Sequence, residues 1–217
     1  MHHNIIYYTY LIFILFAAIC GVIRFKILDN ASRIISILVC CALINESAAF
    51  YIGRVFHNNL ALYSIYCFIE YWLLCLYFNK IIDIFIRKNI GIYIGLIGIL
   101  LGIANIKYIQ HLNSYNSYFL FLEDLAVIGM SLFAFFRLLL TRDSLDLYKY
   151  PHFWFISILV FFWSITFLNW GLYNYFNLKL QSEAWKINFG ILIVGIVTYG
   201  SLGIVFLLYP KMHHSLE

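Results

Sequence analysis

The sequence predicts an all-α membrane protein, a seven-transmembrane helix bundle. Hydrophobic residues make up 64% of the chain and charged residues only 11%, with a mean hydropathy of +0.89 that lies far outside the range of soluble domains. Seven apolar segments of helix-spanning length alternate with short polar stretches that contain most of the charges. Only helices or closed barrels satisfy backbone polar groups in lipid, and runs of about 20 residues suit helices.

The predicted spans are residues 5–23, 33–53, 60–82, 90–109, 118–140, 153–176 and 187–209. The first span has no positively charged leader and no small-residue cleavage site, so we expect it to be retained rather than removed as a signal peptide. At the other end, Leu216-Glu217 is typical of a vector-derived scar, and if it is one the natural chain can continue beyond it. Residues 1–217 are predicted to form a single transmembrane domain.

Lysine and arginine are distributed unequally between the two sides of this bundle. The stretches after spans one, three and five and the C-terminal tail contain ten of them, and the other side contains four: Arg54, Lys107, Lys179 and Lys186. Because these residues accumulate on the cytoplasmic side, the N-terminus is predicted outside and the C-terminus in the cytoplasm. The expected location is a bacterial cytoplasmic membrane. The net charge of +4 fits lipid headgroup contact, and no nucleic-acid partner is predicted.

Two acids lie inside otherwise apolar spans. Glu46 is in the second span and Glu70 is near the middle of the third. An acidic side chain at the bilayer centre costs roughly 2.5–3.5 kcal/mol on insertion scales, and such residues usually face the interior of a bundle. The pair therefore indicates a polar interior site. The alternative is that each carboxyl is protonated and serves only as a hydrogen-bonding link between helices.

Other polar residues lie at similar depth. Tyr63, Tyr66 and Glu70 occur at i, i+3 and i+7, which places them on one face of the third span. Glu123 and Asn169 fall in the outer halves of the fifth and sixth spans, given the predicted orientation. This clustering predicts an outward-facing pocket for a small-molecule or lipid ligand. The predicted ligand-binding residues are Glu46, Glu70, Tyr63, Tyr66, Glu123, Asn169 and Arg54.

Two of these assignments have an alternative. Arg54 lies about 12 Å along the helix from Glu46, at about 1.5 Å per residue, so it is expected to meet Glu123, Asp124 or the adjoining loop. It could equally extend only to the lipid headgroups. Glu123 and Asp124 are within about two turns of the outer end of their span, so exposure at the membrane interface is as good an interpretation as a functional role.

No cofactor, metal site or catalytic residue is predicted. The five cysteines all lie in apolar spans, and the histidines lack the spacing that a zinc site needs. No serine lies in a G-x-S-x-G context, and no glycine-rich phosphate loop follows a strand. The last span contains no lysine that could hold a retinal.

The fourth span has a bare glycine face. Gly91, Gly95, Gly98 and Gly102 recur at intervals of 4, 3 and 4 residues, and such faces let helix backbones approach closely in membranes. Packing inside the bundle is the favoured interpretation. The other is a homo-oligomer formed through this face.

Three runs carry a resemblance to a protein family: LINESAAFYIGRVFHNNLALYSIYCFIEYWLLCLYFNK, LNSYNSYFLFLEDLAVIGMSLFAFFRLLL and YPHFWFISILVFFWS. Their residue types and order, over about residues 40–170, resemble a family of seven-span proteins from Bacteroidota to which no activity is assigned. The chain is also similar to the seven-span sensor modules that precede histidine kinases, although it contains no kinase. The matching positions are Glu46, Tyr51, Asn58, Tyr66, Glu70, Asn113, Ser114, Glu123, Pro151, Phe153 and Trp154.

This resemblance implies one seven-helix unit whose acids act as a set. With the outward pocket, it favours a receptor-like sensor module with a cytoplasmic signalling partner. The alternative is a transporter or channel, including a membrane effector, that uses its intramembrane carboxylates. An intramembrane enzyme that modifies lipids ranks third, because no nucleophile or metal set supports it.

Overall fold

A computed structural model describes residues 2–112, 114, 116–141, 147–171 and 184–214. These residues are almost entirely helical. The long helices are α1 (His2–Arg24), α2 (Asn30–Phe56), α3 (Leu60–Ile81), α5 (Ile90–Tyr108), α6 (Ser117–Thr141), α7 (Pro151–Gly171) and α8 (Ala184–His214). A short helix, α4 (Asp83–Lys88), follows α3, and a 3-10 turn at Leu147–Lys149 precedes α7.

All seven long helices are long and apolar enough to cross a membrane. The predicted all-α bundle of seven spans is therefore confirmed at this level, and the chain is an integral membrane protein by length and composition of its helices. The outside of the bundle is apolar, as lipid contact requires: Leu100, Leu139 and Leu168 are among many exposed large hydrophobic side chains. The last part of the predicted sixth span, residues 172–176, lies outside the described residues.

The short helix α4 was not predicted, because its charged residues resemble a plain polar loop. It begins where Ile82 adopts an extended backbone conformation (φ −103°, ψ 114°) that ends α3. Its buried side chain is Phe85, whose ring stacks on Phe133 of α6 at 5.7 Å between centroids. The short helix α4 is therefore held in place by the aromatic side chain of Phe85, which packs against the bundle.

Helix ends follow ordinary capping chemistry. Asp29 caps α2, where its Oδ1 accepts a hydrogen bond of 2.7 Å from the Ser32 amide. At the other end of α2, His57 adopts the left-handed conformation with φ 55°, and Asn89 does the same with φ 51° after α4. These two turns reverse the chain into α3 and α5.

The helices pack around α3 and along two long pairs. Helix α1 lies along α8, α6 lies along α7, and α3 contacts α2, α5 and α6. Large side chains of α3, Tyr71, Leu74 and Phe78, are fully buried in this core. Helix α3 is therefore the central element that brings residues of the other helices together.

The glycine face of α5 packs inside the chain's own bundle, the interpretation favoured from the sequence. All four glycines are buried against α3 or α6. A Cβ atom added at Gly91 would lie 2.6 Å from the backbone oxygen of Cys75, and one added at Gly98 would overlap the ring of Tyr71. This face is therefore already occupied within one chain.

Candidate functional site

The bundle interior contains a cavity of about 520 Å³. It lies at the end of the bundle where α1 begins, and residues of α1, α2, α3, α6, α7 and α8 line it. Its described lining combines four carboxyl groups with five tyrosines: Glu46, Glu70, Glu123, Asp124, Tyr7, Tyr10, Tyr63, Tyr66 and Tyr199. We call it the tyrosine–carboxyl cavity. Its volume falls within the range of roughly 300–1,000 Å³ that small-molecule sites occupy.

Glu46 is held by three tyrosine hydroxyls from two neighbouring helices. Tyr63 donates a hydrogen bond to its Oε2 at 3.0 Å, and Tyr7 donates to the same oxygen at 3.3 Å. Tyr10 donates to Oε1 at 3.4 Å. Tyr7 and Tyr10 are three residues apart on α1, so both hydroxyls reach the same side of α2. The result is a polar cluster that joins α1, α2 and α3.

Glu70 lies one turn from Tyr66, which donates to its Oε1 at 3.3 Å. Tyr63, Tyr66 and Glu70 all line the cavity, as their shared helix face predicts. Glu46 and Glu70 both remain partly exposed although each lies inside a long apolar helix. Because both line the cavity, a ligand in it could reach either carboxyl group.

Glu123 and Asp124 lie deeper in the protein than exposure at a membrane interface would allow. Their exposed fractions are 1% and 2%. Thr166 of α7 donates to Asp124 Oδ1 at 3.2 Å. Neither carboxylate oxygen of Glu123 has a hydrogen-bond partner among the described residues, and Asp124 Oδ2 has none there either. The structure thus favours the interior placement of these two acids.

One turn beyond the acids, the residues on α3 and α6 belong to the apolar core. Leu74 follows Glu70 by four residues on α3, and Val127 follows Glu123 by four on α6. Both are fully buried in the core. Apolar core residues therefore follow the acids on both helices.

A cluster of amide side chains holds the α5–α6 connection beside this cavity. Asn105 near the end of α5 donates to Asn116, which lines the cavity, and to Gln110 Oε1 at 3.0 Å. Gln110 in turn donates to Ser117 Oγ at 3.0 Å. These bonds fix the start of α6, and with it the position of Glu123 two turns later.

Arg54 lies away from the tyrosine–carboxyl cavity. Its guanidinium sits 4.0 Å from the centroid of the Phe50 ring and donates to Tyr8 Oη at 3.2 Å. Phe50 is one turn earlier on α2, which places its ring beneath the guanidinium, and cation–π contact stabilises this arrangement. Arg54 therefore does not meet Glu123 or Asp124 as expected, and it is not among the described residues that line the cavity.

Asn169 is also not among the described lining residues. Its Oδ1 atom is buried near the end of α7 and has no hydrogen-bond partner within the described part of the chain. Its neighbour Trp170 does line the cavity. The sequence therefore identified the right stretch of α7, but an adjacent residue on a different face.

Several lining residues were not identified from the sequence. Tyr7 and Tyr10 of α1, Thr166 of α7 and Tyr199 of α8 all border the cavity. Tyr10 and Tyr199 make an edge-to-face ring contact at 5.8 Å. The three-residue spacing of Tyr7 and Tyr10 was a usable signal, but in a chain with 18 tyrosines it is indistinguishable from aromatic packing.

A second polar cluster lies at the opposite end of the bundle. His152, in the first turn of α7 and only 4% exposed, places Nε2 at 2.8 Å from Asp29 Oδ2 and Nδ1 at 3.3 Å from Tyr77 Oη. The Tyr209 hydroxyl accepts a hydrogen bond of 3.1 Å from the Asp29 amide. We call these four residues the Asp29–His152 network. It was not predicted, since 123 residues separate Asp29 from His152.

Burial of Asp29 opposes ionisation, but the hydrogen bond and charge of His152, together with the hydrogen bonds from Ser32, outweigh it. They hold the pKa of the Asp29 carboxyl well below its ordinary value. A smaller cavity of about 280 Å³ adjoins His152, with Asp83, Arg137 and Tyr150 in its lining. Within the described ranges, no three His, Cys, Asp or Glu side chains are placed to hold one metal ion.

Comparisons with protein-family profiles, curated proteins and solved structures found no match to this chain.

Proposed function

We propose that this chain is a receptor-like membrane module that binds a small polar ligand in the tyrosine–carboxyl cavity. The observation that carries the proposal is the cavity itself, which gathers four carboxyl groups in a space of about 520 Å³. Acids inside a membrane domain are costly and are typically functional. The convergence of Glu46, Glu70, Glu123 and Asp124 on one cavity therefore supports a binding role better than isolated links between helices.

Binding would be communicated through helix packing. The cavity is bordered by six helices, so a ligand in it contacts both long pairs, α1 with α8 and α6 with α7. A ligand shifts a conformational equilibrium only when it binds two arrangements with different affinity. Helices α2 and α7 border the cavity at one end and are joined by Asp29 and His152 at the other. A change in their relative position would therefore alter both ends.

The distribution of basic residues supports an orientation for this module. Arg54 and Lys107 lie at the cavity end, whereas Arg24, Lys80 and Arg137 lie toward the other. By the positive-inside rule the cavity would open outside the cell and the Asp29–His152 network would lie near the cytoplasm. A signalling partner would then contact the cytoplasmic end.

A thermal-shift screen of the purified protein against a library of small metabolites tests the proposal. We expect ligands that stabilise the wild type and lose that effect in Glu70→Gln, which keeps the shape of the side chain but removes its charge. The matched control is Asp83→Asn, since Asp83 is exposed and lies at the opposite end. Identical ligand responses in all three proteins would overturn the proposal.

A transporter is the second candidate, and the smaller cavity at the opposite end favours it. Alternating access exposes one central site to each side in turn, and a second cavity at the opposite end would provide the exit on that side. The apolar core that includes Leu74 and Val127 would have to open during transport. Cation flux into liposomes that is abolished in the Glu46→Gln, Glu70→Gln double variant would support transport. Flux that persists in that variant would exclude a proton relay through these acids.

A further inference from the structure

The described lining of the tyrosine–carboxyl cavity contains acidic side chains but no basic ones. Its four carboxyl groups come from α2, α3 and α6, and its described lining contains no Lys, Arg or His. The nearest described guanidinium at this end, that of Arg54, is engaged by Phe50 and Tyr8. Within the described part of the chain, the positive charge that would balance these acids is therefore not supplied by the lining.

The four carboxyl groups also differ in how many hydrogen bonds they accept. Glu46 accepts three tyrosine hydrogen bonds, Glu70 accepts one from Tyr66, and Glu123 accepts none from the described residues. A buried polar group without a partner is destabilising, and more so when it is charged. Glu123 is 1% exposed and borders the cavity, so a ligand that donates hydrogen bonds there would remove this destabilisation.

Glu70 of α3 and Glu123 of α6 both line the cavity, although they lie on different helices. A single positive charge between them would be attracted by both. A metal ion fits this arrangement poorly, because the described residues offer no set of three ligating side chains around one point. Direct ligation needs oxygens at about 2.0–2.6 Å from the ion, and this places the ligands around one small sphere.

An organic ligand fits better on grounds of size and lining. The cavity is much larger than a metal ion needs, and aromatic side chains line it on α7, including Phe162, Trp163 and Trp170. Aromatic faces attract ammonium groups and cover apolar parts of a ligand. An unpartnered carboxylate oxygen accepts a hydrogen bond from an N–H or O–H donor. A protonated amine supplies both a hydrogen bond and the opposite charge, whereas an alcohol supplies only the hydrogen bond and a quaternary ammonium group only the charge.

We propose, on the basis of the function proposed above, that the ligand class of this cavity is a small organic amine bound as its ammonium ion. Its N–H groups donate to Glu123 and Glu70. Its carbon skeleton lies against the aromatic side chains of α7. Glu46, already held by Tyr7, Tyr10 and Tyr63, fixes α1, α2 and α3 around the ligand and does not contact the ammonium group.

Matched probes test this inference. Phenethylamine, phenethyl alcohol and phenylacetate share one aromatic skeleton and differ in charge, and further amine, alcohol and carboxylate sets extend the panel. Binding is measured by thermal shift and by tryptophan fluorescence, since Trp163 and Trp170 line the cavity. We expect amines to bind at least about tenfold more tightly than their matched alcohols, because buried charge pairs are worth more than this.

Glu123→Gln and Glu70→Gln should each remove that amine preference, and Asp83→Asn should leave it unchanged. Two variants are used so that a folding defect in one leaves the other informative, with elution as a single peak as the criterion of folding. Equal binding of alcohols and amines, or amine binding unaffected by both variants, would overturn the amine inference and leave the proposed function standing. Absence of a saturable response to any compound, in this panel and in the metabolite library, would overturn both.

Discussion

His152 Nε2 and Asp29 Oδ2 lie 2.8 Å apart and join the start of α7 to the start of α2. The same imidazole lies 3.3 Å from Tyr77 Oη of α3, and Tyr209 of α8 accepts a hydrogen bond from the Asp29 amide. Asp29 therefore caps α2, contacts α7 through its carboxyl group and α8 through its backbone amide, and His152 extends the network to α3. Because the tyrosine–carboxyl cavity is at the opposite end of these helices, the two clusters secure the bundle at both ends.

Replacing Asp29 separates its two roles. Asp29→Ala removes both the helix cap and the partner of His152, and loss of a cap alone costs about 0.5–2 kcal/mol. Asp29→Asn retains one acceptor oxygen, which can still cap α2, so we expect a smaller loss. At roughly 2–4 °C per kcal/mol for a chain of this size, thermal unfolding in detergent resolves the difference. Equal melting temperatures for the two variants would contradict the dual role.

The low pKa of Asp29 gives its contribution a defined pH range. A carboxyl whose pKa is lower in the folded than in the unfolded protein stabilises fully above its unfolded value of about 3.9, and the effect is lost as pH falls further. We therefore expect the melting-temperature difference between wild type and Asp29→Asn to persist from pH 7 to about 5 and to shrink below about 4. A difference that grows as pH falls below about 4 would contradict the direction of the pKa shift.

Tyr63 makes the shortest of the tyrosine hydrogen bonds to Glu46, at 3.0 Å. Tyr63→Phe removes that donor from a carboxyl group inside the bundle, and we expect a loss of about 0.5–1.5 kcal/mol in unfolding free energy. Tyr93→Phe is the matched control, because Tyr93 is exposed on the outer face of α5. Stability is measured by unfolding in a series of detergent mixtures. An equal loss in the two variants would show that the hydroxyl of Tyr63 contributes nothing specific.

The orientation can be measured with reporter fusions. A green fluorescent protein fused after residue 217 should fluoresce, and alkaline phosphatase fused at the same place should be inactive, since the C-terminus is expected in the cytoplasm. Fusions in the α2–α3 connection, after His57, should behave in the opposite way. The reverse pattern at both positions would place the tyrosine–carboxyl cavity on the cytoplasmic side and remove the outward-facing receptor from consideration.

Hydropathy along the chain was sufficient to predict the seven helices, because the need to satisfy backbone groups in lipid acts on each segment separately. Helical periodicity was sufficient to place Tyr63, Tyr66 and Glu70 on one face, for the same local reason. These two signals gave the architecture and the part of the cavity that lies on α3. Neither hydropathy nor periodicity indicates which helices pack against one another.

The remaining features depend on how distant helices pack. Tyr7 and Tyr10 reach Glu46 only because α1 lies beside α2, and His152 meets Asp29 only because α7 begins where α2 begins. The predicted partner of Arg54 was wrong, because the sequence indicates the depth of a residue in the membrane but not the direction of its side chain. The guanidinium instead contacts the ring of Phe50 on its own helix. Such pairings are tertiary contacts, and a single sequence contains no local pattern that encodes them.

The close approach of α5 and α3 makes a prediction with an internal control. Gly91→Ala places a methyl group 2.6 Å from the backbone oxygen of Cys75 and from Asn79 Cβ, in a region where backbone cannot yield as a flexible side chain can. Overpacking of this kind costs about 1–3 kcal/mol. Gly129→Ala on α6 meets nothing within 4 Å, and alanine is the better helix former by up to about 1 kcal/mol, so this variant should be neutral or stabilised. Melting temperatures in detergent should therefore move in opposite directions, or fall only for Gly91→Ala. If Gly91→Ala melted like the wild type, α5 would not pack against α3 through its glycine face, and that face would again be available to a second copy of the chain.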